Sequence, residues 1–555
     1  MMDKLNPCAT PPIVAGPGGS SGSLASELAA LVAGAQGGQA SAQAFAALRA
    51  GVAHPEVLMQ AAKALEAERR RTLVPADAFE MWRRYGGLLA RRGLLDAAGP
   101  ALDIALALVP DDYPTLVDAG TAAFMMADLA SAERHLGRAS ALRPNESAPL
   151  ASLAAAAARQ QRPREAREFA ERAMALGADT VTLHLAIARA DLSEGLTERS
   201  EARLTAQLER AGVSDANRVA LLDLRAEARD AQGHVADAFA DYTARNAILE
   251  RTNAARIGQE LPERRIDQAR RLARHFAGAR ADAWQARSGT DTDPDTLGAS
   301  LARGHVFLLG FPRSGTTLIE KALASHPDFV ALEEVDHLAA AGCHLLANED
   351  GLQGLERLTP AEAQACRATY WRGVGQTLGD GWQGRFVVDK MPLHTVALPL
   401  IARLFPDARI LFALRDPRDV VFSCFRRRFQ INAAMFELLT LEGAARYYDA
   451  VMTLARTGRA LLPLAVHEVR HEAMVTGFET EVRAALGFIG ADWNTAVHDF
   501  AARAGATPHT PSDLQLRRGL NAEGVGQWRR YEAQLAPVRG LLDPWAAHFG
   551  YALLN

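Results

Sequence analysis

Between residues 79 and 250 the sequence repeats itself. Small residues at Gly86, Gly120, Ala154 and Ala188 stand 34 apart, and each is followed twelve residues later by another: Ala98, Ala132, Ala166 and Ser200. A third small position recurs at Ala105, Ala139 and Ala173, with Pro110 and Pro144 five residues beyond the first two of these. An out-of-phase fifth copy fits Ala226 and Ala238. A period of this length restricts the chain to a stack of similar supersecondary units, because one unit cannot bury its apolar face alone.

These offsets resemble the tetratricopeptide repeat, in which small residues let two antiparallel helices approach and proline ends the second. The resemblance implies an all-α solenoid over residues 79–250 whose concave surface binds a peptide or partner protein rather than performing chemistry. Ahead of it, residues 1–24 are rich in Pro, Gly and Ser and read as a disordered tail. Residues 25–78 carry Ala and Leu at helical spacing without a repeat register, which predicts a helical cap. Residues 251–300 read as a charged helical connector that ends in a Gly-, Asp- and Ser-rich loop, with a domain boundary near 295.

The chemistry begins at residues 305–317, HVFLLGFPRSGTT. The apolar run before Gly310 predicts a buried strand, the segment from Gly310 to Gly315 a tight turn, and Thr316 and Thr317 the opening of a helix. A helix start has N–H groups without intrahelical partners and a positive dipole end, so an anion is held there without a metal. The spacing is that of a Walker A loop, except that Thr316 stands in place of the lysine that reaches the terminal phosphates of ATP. A cation, Arg313, sits inside the loop instead.

Further on, VALEEVDHL predicts a short strand ending in Glu333 and Glu334, with alternate side chains on opposite faces, and RFVVDK a strand that delivers Lys390 to the same sheet edge. MPLHTVALPLIARLFPDA reads as a crossover helix. ARILFALRDPRDVVFSCF repeats the strand–turn–helix pattern, with Arg415 at the strand end and Ser423 one to two turns into the helix, where both can face an anion. A structural reading of the same string pairs Asp416 and Asp419 with Arg415 and Arg418.

PRSGTT followed by the Arg415–Ser423 string resembles the sulfotransferases, which take the sulfuryl group from 3'-phosphoadenosine 5'-phosphosulfate (PAPS), and within them the tyrosylprotein sulfotransferases and bacterial proteins that join tetratricopeptide repeats to such a domain. The resemblance implies a P-loop-like α/β domain with a central parallel sheet over residues 301–555. It also implies that Arg313, Ser314, Gly315, Thr316 and Thr317 hold the 5'-phosphosulfate and that Arg415 and Ser423 hold the 3'-phosphate, with Arg427 and Arg518 as further nucleotide contacts. Glu334 corresponds to the catalytic base, and Lys390 and Ser512 to groups at the transferring sulfuryl. His337 and His394 are rival bases. Where the family often has a tyrosine the chain has His471, and Gln527, beside Trp528, replaces a lysine of some members; Arg517 and Arg518 are candidates for the missing charge.

No metal is expected: the four cysteines, Cys8, Cys343, Cys366 and Cys424, have neither zinc-ligand nor disulfide spacing. A net charge of −4 argues against nucleic acid as the main partner. With no apolar run of spanning length, the expectation is a cytoplasmic protein. The readings that follow are a PAPS-dependent sulfotransferase acting on a hydroxyl acceptor recruited by the repeats, or a repeat scaffold whose second domain binds nucleotide without transferring sulfate. A P-loop kinase is disfavoured by Thr316.

Overall fold

A computed structural model describes residues 75–260 apart from 92, residues 263–280, residue 284, residues 302–503, residue 522 and residues 524–553. The expected tail, the expected cap up to residue 74 and the loop over 285–300 lie outside the described residues. Contacts divide the chain between Gln232 and Gly233 into two units.

Among the described residues the first unit's regular elements are all helices: α1 (Pro75–Arg91), α2 (Leu95–Leu108), α3 (Tyr113–Met125), α4 (Leu129–Leu142), α5 (Ser147–Arg159), α6 (Pro163–Ala175), α7 (Val181–Ser193), α8 (Thr197–Leu208) and α9 (Asp215–Gln232). The small residues of the 34-residue period are where the helices of each pair meet. A Cβ on Gly86 or Gly120 would lie 2.6 or 2.5 Å from Cγ of Leu102 or Leu136 on the partner helix. Ala98, Ala132 and Ala166 are fully buried, and in the last copy the Ser200 hydroxyl donates to the Ala188 carbonyl at 2.9 Å. Asp112 and Asp128 cap α3 and α4 by accepting from the N–H groups of Thr115 and Ser131. Helices α2 and α4 stop two residues before Pro110 and Pro144, as expected of proline. Of the out-of-phase copy, Ala226 lies on α9 and Ala238 in the second unit, both buried.

The second unit opens with α10 (Val235–Glu260) and α11 (Arg265–Gly278), followed by a five-stranded sheet of β1 (Gly304–Leu309), β2 (Phe329–Ala331), β3 (Phe386–Lys390), β4 (Arg409–Leu414) and β5 (Ala465–Arg470). The order is β2-β3-β1-β4-β5 and every neighbouring pair is parallel. Helices α12 (Thr316–Ser325), α13 (Pro360–Leu378), α14 (Pro417–Arg426), α15 (Leu441–Leu461), α16 (Phe478–Ile489) and α17 (Arg539–His548) are the longer ones that surround it. Both faces of β1 are covered, which is why residues 306–309 read as one apolar run: Val306 and Leu308 pack with Leu318, Leu323 and Leu486, while Phe307 points at Tyr370 and Phe405. The chain goes from β1 to one side of the sheet and then to the other, so the carboxyl end of β1 is a topological switch point where a crevice opens. The expected crossover helix after Lys390 is a 3-10 turn, Pro392–Ala397, running into a short helix, Leu398–Leu404.

The boundary differs from the one expected near 295. Helix α10, read from sequence as the end of the repeats, is tied into the second unit: the Arg245 guanidinium donates to the carbonyls of Phe425 (3.0 Å) and Arg426 (2.9 Å), and the Asn246 amide donates to Phe425 (3.0 Å). These are the last carbonyls of α14, which have no intrahelical donors. Helix α11 follows suit, with Arg271 donating to the carbonyls of Leu346 and Ala347, both at 3.0 Å, and Arg264 paired with Glu437. Charged residues that looked like a solvated connector instead satisfy backbone groups of the α/β domain.

A chain beginning at residue 233 should therefore unfold in one cooperative transition, whereas one beginning at residue 295 should show none in thermal or urea denaturation. Within the longer chain, Arg245→Ala should cost about 2–4 kcal/mol, the order expected when buried acceptors lose a charged donor. Equal stability of the two truncated chains would contradict this division.

Candidate active site

The loop after β1 is shaped by two glycines. Gly310 has φ +151°, and a Cβ there would lie 2.8 Å from the Ala413 carbonyl oxygen and 2.8 Å from Ser314 Oγ. Gly315 has φ +101°, and its Cβ would lie 2.7 Å from His471 Nδ1. Thr395 pins the loop's entry, its hydroxyl accepting from Gly310 N–H at 3.0 Å and lying 2.7 Å from the Gly310 carbonyl. Arg313 adopts a left-handed backbone, φ +69°, costly for a residue with a Cβ and typical of functional loops. Helix α12 starts at Thr316 without a side-chain cap, so its first N–H groups are left for another acceptor.

Three cationic or polar side chains converge on this loop. Arg313 Nε donates to Ser423 Oγ at 3.1 Å, and Arg415 Nη1 donates to the Arg313 carbonyl at 2.9 Å, with Nη2 on the Gly524 carbonyl. Arg415 Nε and Ser314 Oγ are buried without a hydrogen-bond partner among the described residues. Burial, then the nearby Arg427 and Arg415 charges, pushes the Arg313 guanidinium down to about 9. Burial likewise lowers Arg415, although Asp419 and Glu472 oppose it. Like charges packed this closely are destabilised until an anion joins them. The His471 ring lies against Gly315, and burial together with Arg415 and Arg313 pushes it down to about 3, so it is neutral in the physiological range.

Across the crevice the strand expected to end in Glu333 and Glu334 ends earlier, at Ala331, and both glutamates form a left-handed turn with φ +44° and +62°. They are separated by that turn rather than by strand alternation. Glu333 accepts from Lys321 Nζ at 2.8 Å; Glu334 accepts from Lys390 Nζ at 2.6 Å, and its own N–H donates to the Lys390 carbonyl at 3.2 Å. Lys390 also lies 3.1 Å from the buried Glu320 carboxylate, on α12. His394 Nε2 lies 3.0 Å from Asp336 and Nδ1 3.3 Å from Asp389. Burial alone would lower it, but these two carboxylates hold it up to about 10. Asp389 further accepts from the Tyr370 hydroxyl at 2.8 Å. His337 is pushed down by burial and contacts Thr377 Oγ1 at 3.1 Å.

The Asp416–Arg418 pairing expected on structural grounds is present, with bonds of 2.9 and 2.7 Å. Asp419 does something else: it accepts from the backbone N–H groups of Gly526 (2.6 Å) and Trp528 (2.8 Å), and Arg418 lies 3.9 Å over the Trp528 ring. The returning C-terminal segment is thereby bound to α14. Glu472 accepts from Asp416 N–H at 3.0 Å and from the Tyr551 hydroxyl at 2.9 Å, and Gln527 accepts from Arg426. Arg427 ends α14. Ser512, Arg517 and Arg518 lie outside the described residues. Nothing in the local sequence marks Glu320, Asp389 or the Asp419 bonds, because each depends on a partner far along the chain. Among the described residues no cluster of His, Cys, Asp and Glu side chains is arranged to hold a metal, and no helix is long and apolar enough to cross a membrane.

Residues 305–495 match the model of the Sulfotransferase family. The chain is 27% identical over 271 residues to an uncharacterized protein of Aquifex aeolicus, a match covering 45% of this chain and 34% of that protein. It is 26% identical over 266 residues to the protein-tyrosine sulfotransferase of Drosophila melanogaster, covering 43% of this chain and 52% of that one. The match thus spans about a third of the first relative and about half of the second. Among solved structures, the sulfotransferase domain of the Synechococcus PCC 7002 olefin synthase aligns with a TM-score of 0.32 and 22% identity, over 46% of this chain and 97% of that one. The family match lies over the glycine-shaped loop, the parallel sheet and the Arg415–Ser423 helix, all within the second unit of this chain.

Proposed function

We propose that the chain is a PAPS-dependent sulfotransferase that transfers a sulfuryl group to a hydroxyl acceptor, such as a protein tyrosine, a sugar or a small alcohol, with the repeat unit recruiting the acceptor or a partner. The observation that carries this reading is the junction of Arg313, Ser423 and Arg415, which joins the loop after β1 to the helix after β4 around buried positive charge. A donor with a phosphate at each end of its ribose suits two such anion positions a short distance apart.

In this reading the 5'-phosphosulfate lies on Ser314, Gly315, Thr316 and Thr317, and Arg415, Ser423, Arg427 and Arg518 attend the 3'-phosphate. The acceptor oxygen attacks sulfur in line, the bond from sulfur to the phosphate oxygen breaks, and the electron pair stays on that oxygen. Arg313, Lys390 and Ser512 meet the charge that develops there; preorganised donors of this kind are worth about 3 kcal/mol each in other active sites. Glu334 takes the acceptor proton. A phenol with pKa near 10 is poorly ionised at neutral pH, so a positioned base contributes about 100-fold or more. His394, held charged between Asp336 and Asp389, has no free lone pair for this task at neutral pH.

Glu334→Gln should leave PAPS binding intact and lower turnover about 100-fold or more, while Glu333→Gln, whose carboxylate faces Lys321, should lower it far less; steady-state kinetics with a phenolic acceptor decide. A larger loss from Glu333→Gln would move the base by one residue. In calorimetric titration, Arg415→Ala should weaken adenosine 3',5'-bisphosphate by about 1.5–3 kcal/mol more than it weakens AMP, the worth of a charge-assisted bond. Equal weakening would remove Arg415 from the 3'-phosphate site.

The His394 tie has its own pH signature. A histidine raised in the folded state stabilises most below its unfolded value near 6.5, and that contribution disappears as pH rises through about 10. Urea unfolding of wild type and His394→Asn should therefore differ by a few kcal/mol at pH 6 and converge by pH 10. A difference that grows with pH would show that the imidazole is neutral.

A further inference from the structure

Glu320 lies on α12, one turn beyond the threonines that open the helix, and its side chain is only 2% exposed. One carboxylate oxygen is 3.1 Å from Lys390 Nζ, and the other has no hydrogen-bond partner among the described residues. Lys390 itself is 1% exposed and gives another N–H to Glu334 at 2.6 Å. An ammonium has three N–H groups, so two carboxylates fix two of them and thereby the direction of the third.

We infer that Glu320 is a positioning residue for Lys390, keeping the ammonium charged and aimed at the crevice during the interval in which Glu334 carries the acceptor's proton. The inference rests on the sulfuryl-transfer reading above. At rest the group holds one ammonium and two carboxylates. When the acceptor oxygen bonds to sulfur and its proton passes to Glu334, that carboxylate becomes a neutral acid and its attraction for Lys390 falls away. A lysine buried among neutral groups gives up its proton. Glu320 exchanges no proton and no bond; its remaining negative charge keeps Lys390 an ammonium at the moment negative charge gathers on the departing phosphate oxygen. The other charged side chains acting on Glu320 are Lys321 and Glu333, which are bonded to each other. Burial raises the Glu320 carboxyl against the pull of Lys390 and Lys321, and Lys390 is held above its ordinary value, against burial, by Glu320 and Glu334.

Nitrogen-15 NMR titration of the lysine ammonium groups in the full chain tests this without turnover. In Glu334→Gln, which imitates the protonated base, Lys390 should stay charged throughout the neutral range. Adding Glu320→Gln should lower its midpoint by about 1–3 units, the effect of one opposite charge at this range. Identical midpoints in the two proteins would overturn the inference. Should the double variant not fold, Glu320→Gln alone should lower kcat about tenfold and shift the alkaline limb of its pH profile downward with adenosine 3',5'-bisphosphate affinity unchanged; a lower Tm with an unmoved alkaline limb would mark Glu320 as structural only and overturn it. A wild-type chain that transfers no sulfate from PAPS would defeat the functional reading instead, while the lysine titration would still stand or fall by itself.

Discussion

The second unit depends on confining positive charge at the carboxyl edge of a parallel sheet. Arg313 and Arg415 are both buried, and the Arg415 charge helps to lower Arg313; Arg415 donates to two backbone carbonyls and Arg313 to the Ser423 hydroxyl. Such an arrangement is unfavourable on its own, since buried guanidinium groups have exchanged hydration for weaker partners. It persists because the surrounding elements over-determine it: Gly310 and Gly315 pass where a Cβ would clash with Ala413, Ser314 and His471, and Glu472 and Asp419 tie the Arg415 turn to the C-terminal segment. The resulting field is directed at the crevice where α12 begins without a side-chain cap.

Opposite this charge lies a second arrangement with the reverse logic. Lys390 is enclosed by Glu320 and Glu334, and His394 by Asp336 and Asp389, so that each buried cation has two acids. Asp389 precedes Lys390 on β3, and Asp336 follows Glu334 in the turn after β2; the histidine therefore clamps the two segments that carry the reactive pair. One side of the crevice is poised to receive an anion and the other to manage a proton.

The same economy runs through the helices. In the first unit the tight places are between helices, at Gly86 against Leu102 and Gly120 against Leu136, and a larger residue at either would force the pair apart. In the second unit, α10 uses a buried arginine and asparagine to satisfy the end of α14, the helix that presents Ser423. Polar residues on α10 are thus structural groups of the α/β domain.

The elements and the chemistry-bearing loop follow from local sequence alone. The 34-residue recurrence of small residues dictated paired helices, because only small side chains allow that approach, and the apolar run broken by Gly310 and Gly315 dictated strand, turn and helix. Arg313, Lys390 and Arg415 were legible because each sits at a strand end or in the loop that follows one, and Ser423 because it lies one to two turns into the helix after Arg415. Which group meets which was set by the packing of segments far apart in the chain. The left-handed turn that sends Glu333 to Lys321 and Glu334 to Lys390 has no signature in a run reading VALEEVDHL, and the positive φ values there oppose ordinary propensity. Glu320 has no local signature until β3 brings Lys390 beside it, and most of α10 reads as the end of the repeats until the end of α14 gives its Arg245 two carbonyls. Local sequence fixes backbone geometry through steric and hydrogen-bonding preferences, whereas a buried ion pair is set by the juxtaposition of segments that the sheet order alone creates.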